Sequence, residues 1–443
     1  MTALSLDQLA DRLISPVCGV IKGFQRIAKD QSEPDRTYIY RAELSNARFL
    51  EKGDREDRFI VCSGKGVNED QARWSALGEA AERYSALLWN DEQVVRASFE
   101  NLDQEALDPE LLVLYRTEQY EGLPYDPFDP GTPIGWVPTR SLGTGQEILV
   151  PALGVLMAYD LRPEERYLFP ITSNGLAAGP SLGDAILSGA FEVIERDAFL
   201  NLWLHRLPAR PADPSTHPQL EIRCLWEAYR RRGVRIELYR IPMDHEVHVF
   251  IAIGFGRDSA DEPAAVVGLG AGYHAARAAA GAILEVAQVR PALKIRMRDP
   301  EVRKRIATLV AEPHRVESLS DHDLLYCDRS QLGCFDFMRM SQAAPFEWPD
   351  EDPLTVTEQL TKMLTCLRQQ DTDLLYSNLT TPDMAAHKLY CARAIIPGYQ
   401  PIHFGRRERR LAADRLYRIP QRLGLTESPV GSETLNDAPH PLA

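Results

Sequence analysis

The sequence predicts an α/β (α+β) chain assembled from one strand–glycine loop–helix unit that is used three times. Three observations carry that expectation. Residues 63–89, 172–203 and 267–290 share the pattern G-x5-A-x2-[SG]-x3-E-x2-[EQ], aligned on Gly66, Gly179 and Gly272. A short apolar or β-branched run ("FIVCS", "YLFPITS", "AAVVG") precedes each copy, and a long helix pattern follows the glycine turn. The spacing between copies is unequal, which excludes a solenoid.

The remaining elements read as follows in chain order. "MTALSLDQLADRL" is an amphipathic helix; Asp7 and Asp11 stand where a signal peptide would be basic. Residues 120–150, rich in Pro, Gly and aromatics, read as loops with short strands, and "RLPARPADPSTHP" (206–218) as an exposed connector. "EIRCLWEAYRRRGVRIELYRI" runs from helix into strand, and "DHEVHVFIAIGF" (244–255) ends as a buried strand. "RRERRLAADRLYR" (406–418) reads as a solvated helix face.

With 443 residues the chain can bury a large core, and its net charge of −14 argues against a general nucleic-acid binder. No apolar run reaches the ~18 residues that span a bilayer, so no membrane role is expected. The seven cysteines form no C-x-x-C pair, which points to reduced thiols and a cytoplasmic location.

The repeat gives weight to its acids. Carboxylates at i and i+3 share one side of a helix and can grip one cation. Glu79 and Glu82, Glu192 and Glu195, and Glu285 are five such anions, with Gln288 in the sixth position. If these faces converge, repulsion calls for Mg2+, which prefers a few carboxylates plus phosphate oxygens. Lys65, Arg83, Arg196, Arg277 and Arg290 are then candidate phosphate contacts, and Asn174 lies in the turn of the second unit. The glycine-lysine loop at 64–66 is no P-loop, because no Ser or Thr follows Lys65.

"SGKGVNEDQARWSALGEAAERYSA", "TSNGLAAGPSLGDAILSGAFEVIERDAFLNLW", "GLGAGYHAARAAAGAILEVAQVR" and "ARAIIPGYQPIHFG" (392–405) resemble the YcaO family, and the similarity runs from about residue 10. The resemblance implies a non-P-loop fold that binds ATP and Mg2+. Glu79, Glu82, Glu192, Glu195 and Glu285 would hold the metal. Ser63, Lys65, Arg83, Asn174, Arg196, Arg277, Gln288 and Arg290 would contact the nucleotide.

The implied activity is cyclodehydration of Cys, Ser or Thr in a ribosomal precursor peptide to an azoline. Thioamide or amidine formation and a non-catalytic accessory role are the alternatives. A leader-binding E1-like partner, an FMN-dependent azoline dehydrogenase and a homodimer are the implied associations. Residues 1–425 would form the ATP-binding domain. The tail 426–443 ends "LNDAPHPLA", similar to the proline-rich ends of azoline-forming members, but it closes on Ala443 instead of proline. Pro439 and Pro441 would stiffen it, and His440 and the Ala443 carboxylate would reach the substrate.

Overall fold

The computed structural model describes residues 5–45 and 60–442; Ala443 lies outside them. The amphipathic helix α1 (Leu6–Leu13) opens the described chain, with Ser5 capping its first turn. Three antiparallel sheets follow. The first is β1 (Ile21–Arg26), β2 (Tyr38–Leu44) and β3 (Val61–Gly66), in that order. The second runs β4 (Val95–Ser98), β5 (Pro133–Ser141), β12 (Leu375–Asn378), β13 (Tyr390–Ile395), β7 (Leu176–Gly179), with β6 (Glu147–Pro151) also on β5. The third runs β11 (Ala265–Gly272), β10 (His248–Phe255), β9 (Arg235–Arg240), β8 (Arg210–Ala212).

The three repeats occupy equivalent places. Strands β3, β7 and β11 each end a sheet. Each is followed by its acid-bearing helix: α2 (Glu69–Leu87), α3 (Leu182–His205) and α5 (Ala275–Arg296). Of the two class descriptions, the strand pairing selects α+β, since every ladder is antiparallel.

The units close into a ring. Helix α2 packs on β3 and reaches β7, α3 packs on β7 and reaches β11, and α5 packs on β11 and reaches β3. Small residues allow this approach. A Cβ added at Gly64 on β3 would lie 2.1 Å from the Ala76 amide nitrogen of α2, so only glycine fits there. The main core then spans α3, α5 and β9–β11, with fully buried Phe199, Phe250, Ile253 and Ile283.

Two expectations are corrected. The 206–218 stretch is no exposed connector: it supplies β8, buries Leu207, Ala209 and Ala212, and seats the fully buried His217 against the Ala276 carbonyl at 2.9 Å. Helix α4 (Leu220–Arg231) then leads into β9, as the helix-to-strand reading anticipates. The arginines of 406–418 do not line one solvated helix, because α9 begins only at residue 414 (Asp414–Arg422). Arg410 is buried over the Phe169 ring, and Arg415 makes ion pairs with both Asp197 and Asp244. Their partners lie some 170 to 240 residues away in sequence, beyond the reach of local charge patterning.

Gly64→Ala should cost about 1–3 kcal/mol through backbone collision. Gly78→Ala on the facing helix α2, where nothing lies within 4 Å of the added carbon, should cost nothing and gain up to about 1 kcal/mol. Urea unfolding of the two variants checks the contrast; equal midpoints would remove the close-packing argument.

Candidate functional site

The first glutamate of each unit is held in the same way. The Ser63 amide donates to Glu79 Oε2 at 2.9 Å, the Gly175 amide to Glu192 Oε2 at 3.2 Å, and the Leu269 amide to Glu285 Oε2 at 3.1 Å. Each bond ties the helix to the strand or turn that precedes it. A carboxylate accepting a fixed backbone N–H is oriented before any guest arrives.

An arginine follows each second glutamate in the first two units. Arg83 lies 3.6 Å from Glu79 and 3.5 Å from Glu82. Arg196 lies 3.6 Å from Glu192 and 3.8 Å from Glu195. The equivalent position in the third unit is Val289, and the cation comes instead from β3: Lys65 Nζ stands 3.4 Å from Glu285 Oε2. Gln288, in place of the third second-glutamate, donates to Ser63 Oγ at 2.5 Å and closes the ring back onto the first unit.

The charges of neighbouring units meet at the seams. Desolvation pushes Glu82 up to about 8; Arg83 opposes this, while Glu192 of the next unit and Glu79 add repulsion. Glu195 also rises to about 8, from desolvation, against the pull of Arg196 and with the push of Glu285 and Glu192. Glu285 goes the other way: burial would raise it, but Lys65 and Arg196 hold it below its ordinary value. The acids of three helices therefore converge on one space.

Sequence reading did not single out Arg393 of β13. Fully buried, it donates from Nε to the Val155 carbonyl at 3.1 Å, from one terminal nitrogen to Asn174 at 2.5 Å and from the other to Thr172 at 2.8 Å. Burial depresses it to about 10 despite Glu192, with Arg83 adding repulsion and Glu82 attraction. The signal available was an arginine inside the apolar run "CARAII", where an ordinary strand core carries no charge. Asp197, next to Arg196, was also missed; it is fully buried and paired with Arg415 at 2.9 Å.

One expected phosphate contact is not brought to the acids. Arg290 is one residue beyond the arginine position, and a helix turns ~100° per residue. It faces away, fully buried, donating to Glu33 at 2.9 Å and paired with Glu262. Arg277 is exposed on the first turn of α5, beside a cavity of about 150 Å³ shared with His274, Asp352 and Gln359. Ser63, Lys65, Arg83, Arg196, Gln288 and the five glutamates are gathered. Asn174 borders them through its turn, and its Oδ1 is buried without a hydrogen-bond partner.

The tail runs along α3. Trp203 donates to the Ala438 carbonyl at 2.8 Å, and Tyr326 to the Pro439 carbonyl. His440 stacks on His322 at 3.7 Å, and Pro441 and Leu442 are buried beyond it. The His440 Nε2–H donates to the His403 carbonyl at 3.2 Å, while Nδ1 accepts from the Leu442 amide at 3.4 Å. Burial, then His322 and His403, hold its ring well below the ordinary range, so it is neutral; the charge of Arg196 adds to that depression.

The donors fit a magnesium-bound polyphosphate in chemical type. Carboxylate oxygens at i and i+3 are hard ligands, and the Arg196 guanidinium keeps a buried NH1 without a hydrogen-bond partner. Glu82 and Glu195 bind protons more tightly folded than unfolded, since about 8 lies above the ordinary 4.5. Between those values the unfolded chain ionises first, so stability falls as pH rises. The thermal midpoint of the metal-free protein should therefore drop between pH 5.5 and 8.5, and drop less in Glu82→Gln and Glu195→Gln. Parallel curves for all three would contradict the seam repulsion.

Comparisons with known proteins agree with this geometry. A family model described as YcaO cyclodehydratase, ATP- and Mg2+-binding, matches residues 63–400. An uncharacterised protein of Methanothermobacter thermautotrophicus is 32% identical over 230 residues, 52% of this chain and 57% of its own length. The chain thus spans about half the length of the curated relatives it matches. A solved heterocyclase in complex with substrate and cofactor is 26% identical, with a TM-score of 0.78 over 99% of this chain and 57% of that one. The fold also matches the YcaO protein of Methanopyrus kandleri bound with AMPPCP and Mg2+: TM-score 0.60, 20% identity, 86% of both chains. The chain belongs to the YcaO cyclodehydratase family, whose members bind ATP and Mg2+.

Proposed function

We propose that the protein catalyses ATP- and Mg2+-dependent cyclodehydration of Cys, Ser or Thr residues in a ribosomal precursor peptide, forming thiazoline or oxazoline rings. The convergence of Glu79, Glu82, Glu192, Glu195 and Glu285 beside Arg83, Arg196 and Lys65 is the observation that carries this reading. ATP supplies the phosphoryl group that makes the amide oxygen of the ring-closed adduct a good leaving group. The five glutamates hold the ions, each first glutamate fixed by its backbone amide. Arg83, Arg196 and Lys65 face the phosphates, where guanidinium and ammonium groups stabilise the charge that develops on transfer. Catalysis then consists of positioning and charge stabilisation, with no protein nucleophile required.

The likeness to a heterocyclase solved in complex with substrate and cofactor supports ring formation as the chemistry. Delivery of the precursor by a leader-binding partner is part of the same proposal. The tail 426–443 belongs to the same reading. Its prolines and His440 lie along α3, the helix that carries Glu192 and Glu195, and its end at Ala443 is proposed to complete the substrate side.

Incubating the protein with precursor, partner and Mg-ATP should give one water lost per modified residue, matched by ADP and phosphate. Glu79→Gln or Glu192→Gln should lower the rate at least about 100-fold. Release of AMP and pyrophosphate, or incorporation of sulfide in place of ring closure, would replace the proposal. Removing residues 439–443 should abolish ring formation and leave Mg-AMPPCP binding within about threefold of the parent; full ring formation would remove the tail from the site.

A further inference from the structure

The three amides that hold the first glutamates are not equivalent. Ser63 lies within β3, laddered to Arg41, and Leu269 lies within β11, laddered to Ile251. Each is sixteen residues before its glutamate. Gly175 is seventeen residues before Glu192 and sits in a turn just ahead of β7, with φ at +83°. One extra residue has pushed the second amide out of its strand into a left-handed conformation that glycine tolerates best. A turn amide lacks the ladder that fixes the other two.

Arg393 stands at the end of the β7–β13 ladder, paired with Leu176, the residue after Gly175. Three of its nitrogens bind the carbonyls of Val155, Thr172 and Asn174, so one planar group grips both the turn and the segment behind it. The next residue on β13 adds a backbone bond, Ala394 N–H to the Gly175 carbonyl at 2.8 Å. Gly175 is thus held on both sides, and its amide points at Glu192. We propose that Arg393 is the positioning residue for Glu192, a side-chain clamp on the turn amide that lies just past the end of the β7–β13 ladder, where the other two units use amides inside their strands.

The position serves a second purpose. Lys65 provides the cation where Glu195 meets Glu285, and Arg393 provides one where Glu82 meets Glu192. The third seam, Gln288 against Ser63, joins no two acids, and Lys65 of β3 crosses it to reach Glu285. Each seam that joins two acids therefore carries a buried or half-buried base from a strand. Lysine at 393 would keep this charge but lose the planar three-carbonyl grip, which separates the two purposes.

The test reads nucleotide binding and backbone exchange, so it stands apart from whether the peptide chemistry above is right. Calorimetry with Mg2+ and AMPPCP is run on Arg393→Gln and Arg393→Lys, each in the parent, Glu192→Gln and Glu285→Gln backgrounds. Arg393→Gln should weaken binding by about 10–100-fold, and Arg393→Lys by less. The loss should shrink below about threefold in Glu192→Gln and persist in Glu285→Gln, because coupled residues are non-additive and independent ones add. In the nucleotide-free protein, hydrogen exchange of residues 172–176 should accelerate in both Arg393 variants, which decides the matter even where binding is too weak to titrate. Parent-like affinity, equal losses in all backgrounds, or unchanged exchange would overturn the assignment.

Discussion

Repulsion among carboxylates taken out of water organises this molecule. Two unit charges a few ångströms apart interact weakly in water but strongly where solvent is excluded. Three helices that carry acids toward one space can coexist only if something offsets that term. The chain supplies three offsets: a backbone amide on each first glutamate, a base within each double-acid unit, and a proton on Glu82 and Glu195 whose carboxyls rise to about 8. The close strand–helix packing at Gly64 follows from the same need, because the amide must sit within hydrogen-bond reach of a glutamate about three turns along the helix.

The repeats are related but not interchangeable, and their differences are chemical. The third unit exchanges its second acid for Gln288 and its arginine for Val289, then borrows Lys65 from the first. The ring thereby closes on a hydrogen bond where a third acid–acid seam would add further repulsion. The second unit carries an inserted residue and Arg393 in compensation. A site with two full acid pairs and one reduced position has a direction, which a threefold-symmetric cage would lack.

The repeat itself was legible because it is local. Glycine, small residue and acid recur at fixed offsets along one helix face, and the runs "FIVCS" and "AAVVG" lead into β3 and β11, whereas "YLFPITS" (167–173) stays outside the sheets and β7 (Leu176–Gly179) begins beyond it. What depended on distant partners was not. The antiparallel edge position of a repeat strand can be decided by residues more than 200 positions away, as Arg393 opposite Leu176 on β13 and β7 shows. Arg290 was assigned to the phosphates from its nearness to the motif; one residue of helical rotation sends it to Glu33 and Glu262 instead. Arg406, Arg409, Arg410 and Arg415 looked like a wet surface since their partners Asp437, Phe169, Asp197 and Asp244 come from elsewhere in the chain. Arg393 was inside a recognised motif yet unread, because a lone charge in a strand gives no clue to the turn it holds.

The charge balance bears on how the site is filled. The five glutamates meet four nearby cations, Lys65, Arg83, Arg196 and Arg393. With Glu82 and Glu195 protonated near neutral pH, the set without a guest is close to balanced and slightly positive. A bare divalent cation then meets little net attraction, whereas a polyphosphate meets the unpartnered NH1 donor of Arg196 and the cations beside it. If phosphate and metal arrive together, the metal would take over the work of the two protons, and both carboxyls would ionise and serve as ligands. Ordered this way, a free metal ion alone does not complete the site, and the acids reach full charge only when a nucleotide is present to balance it.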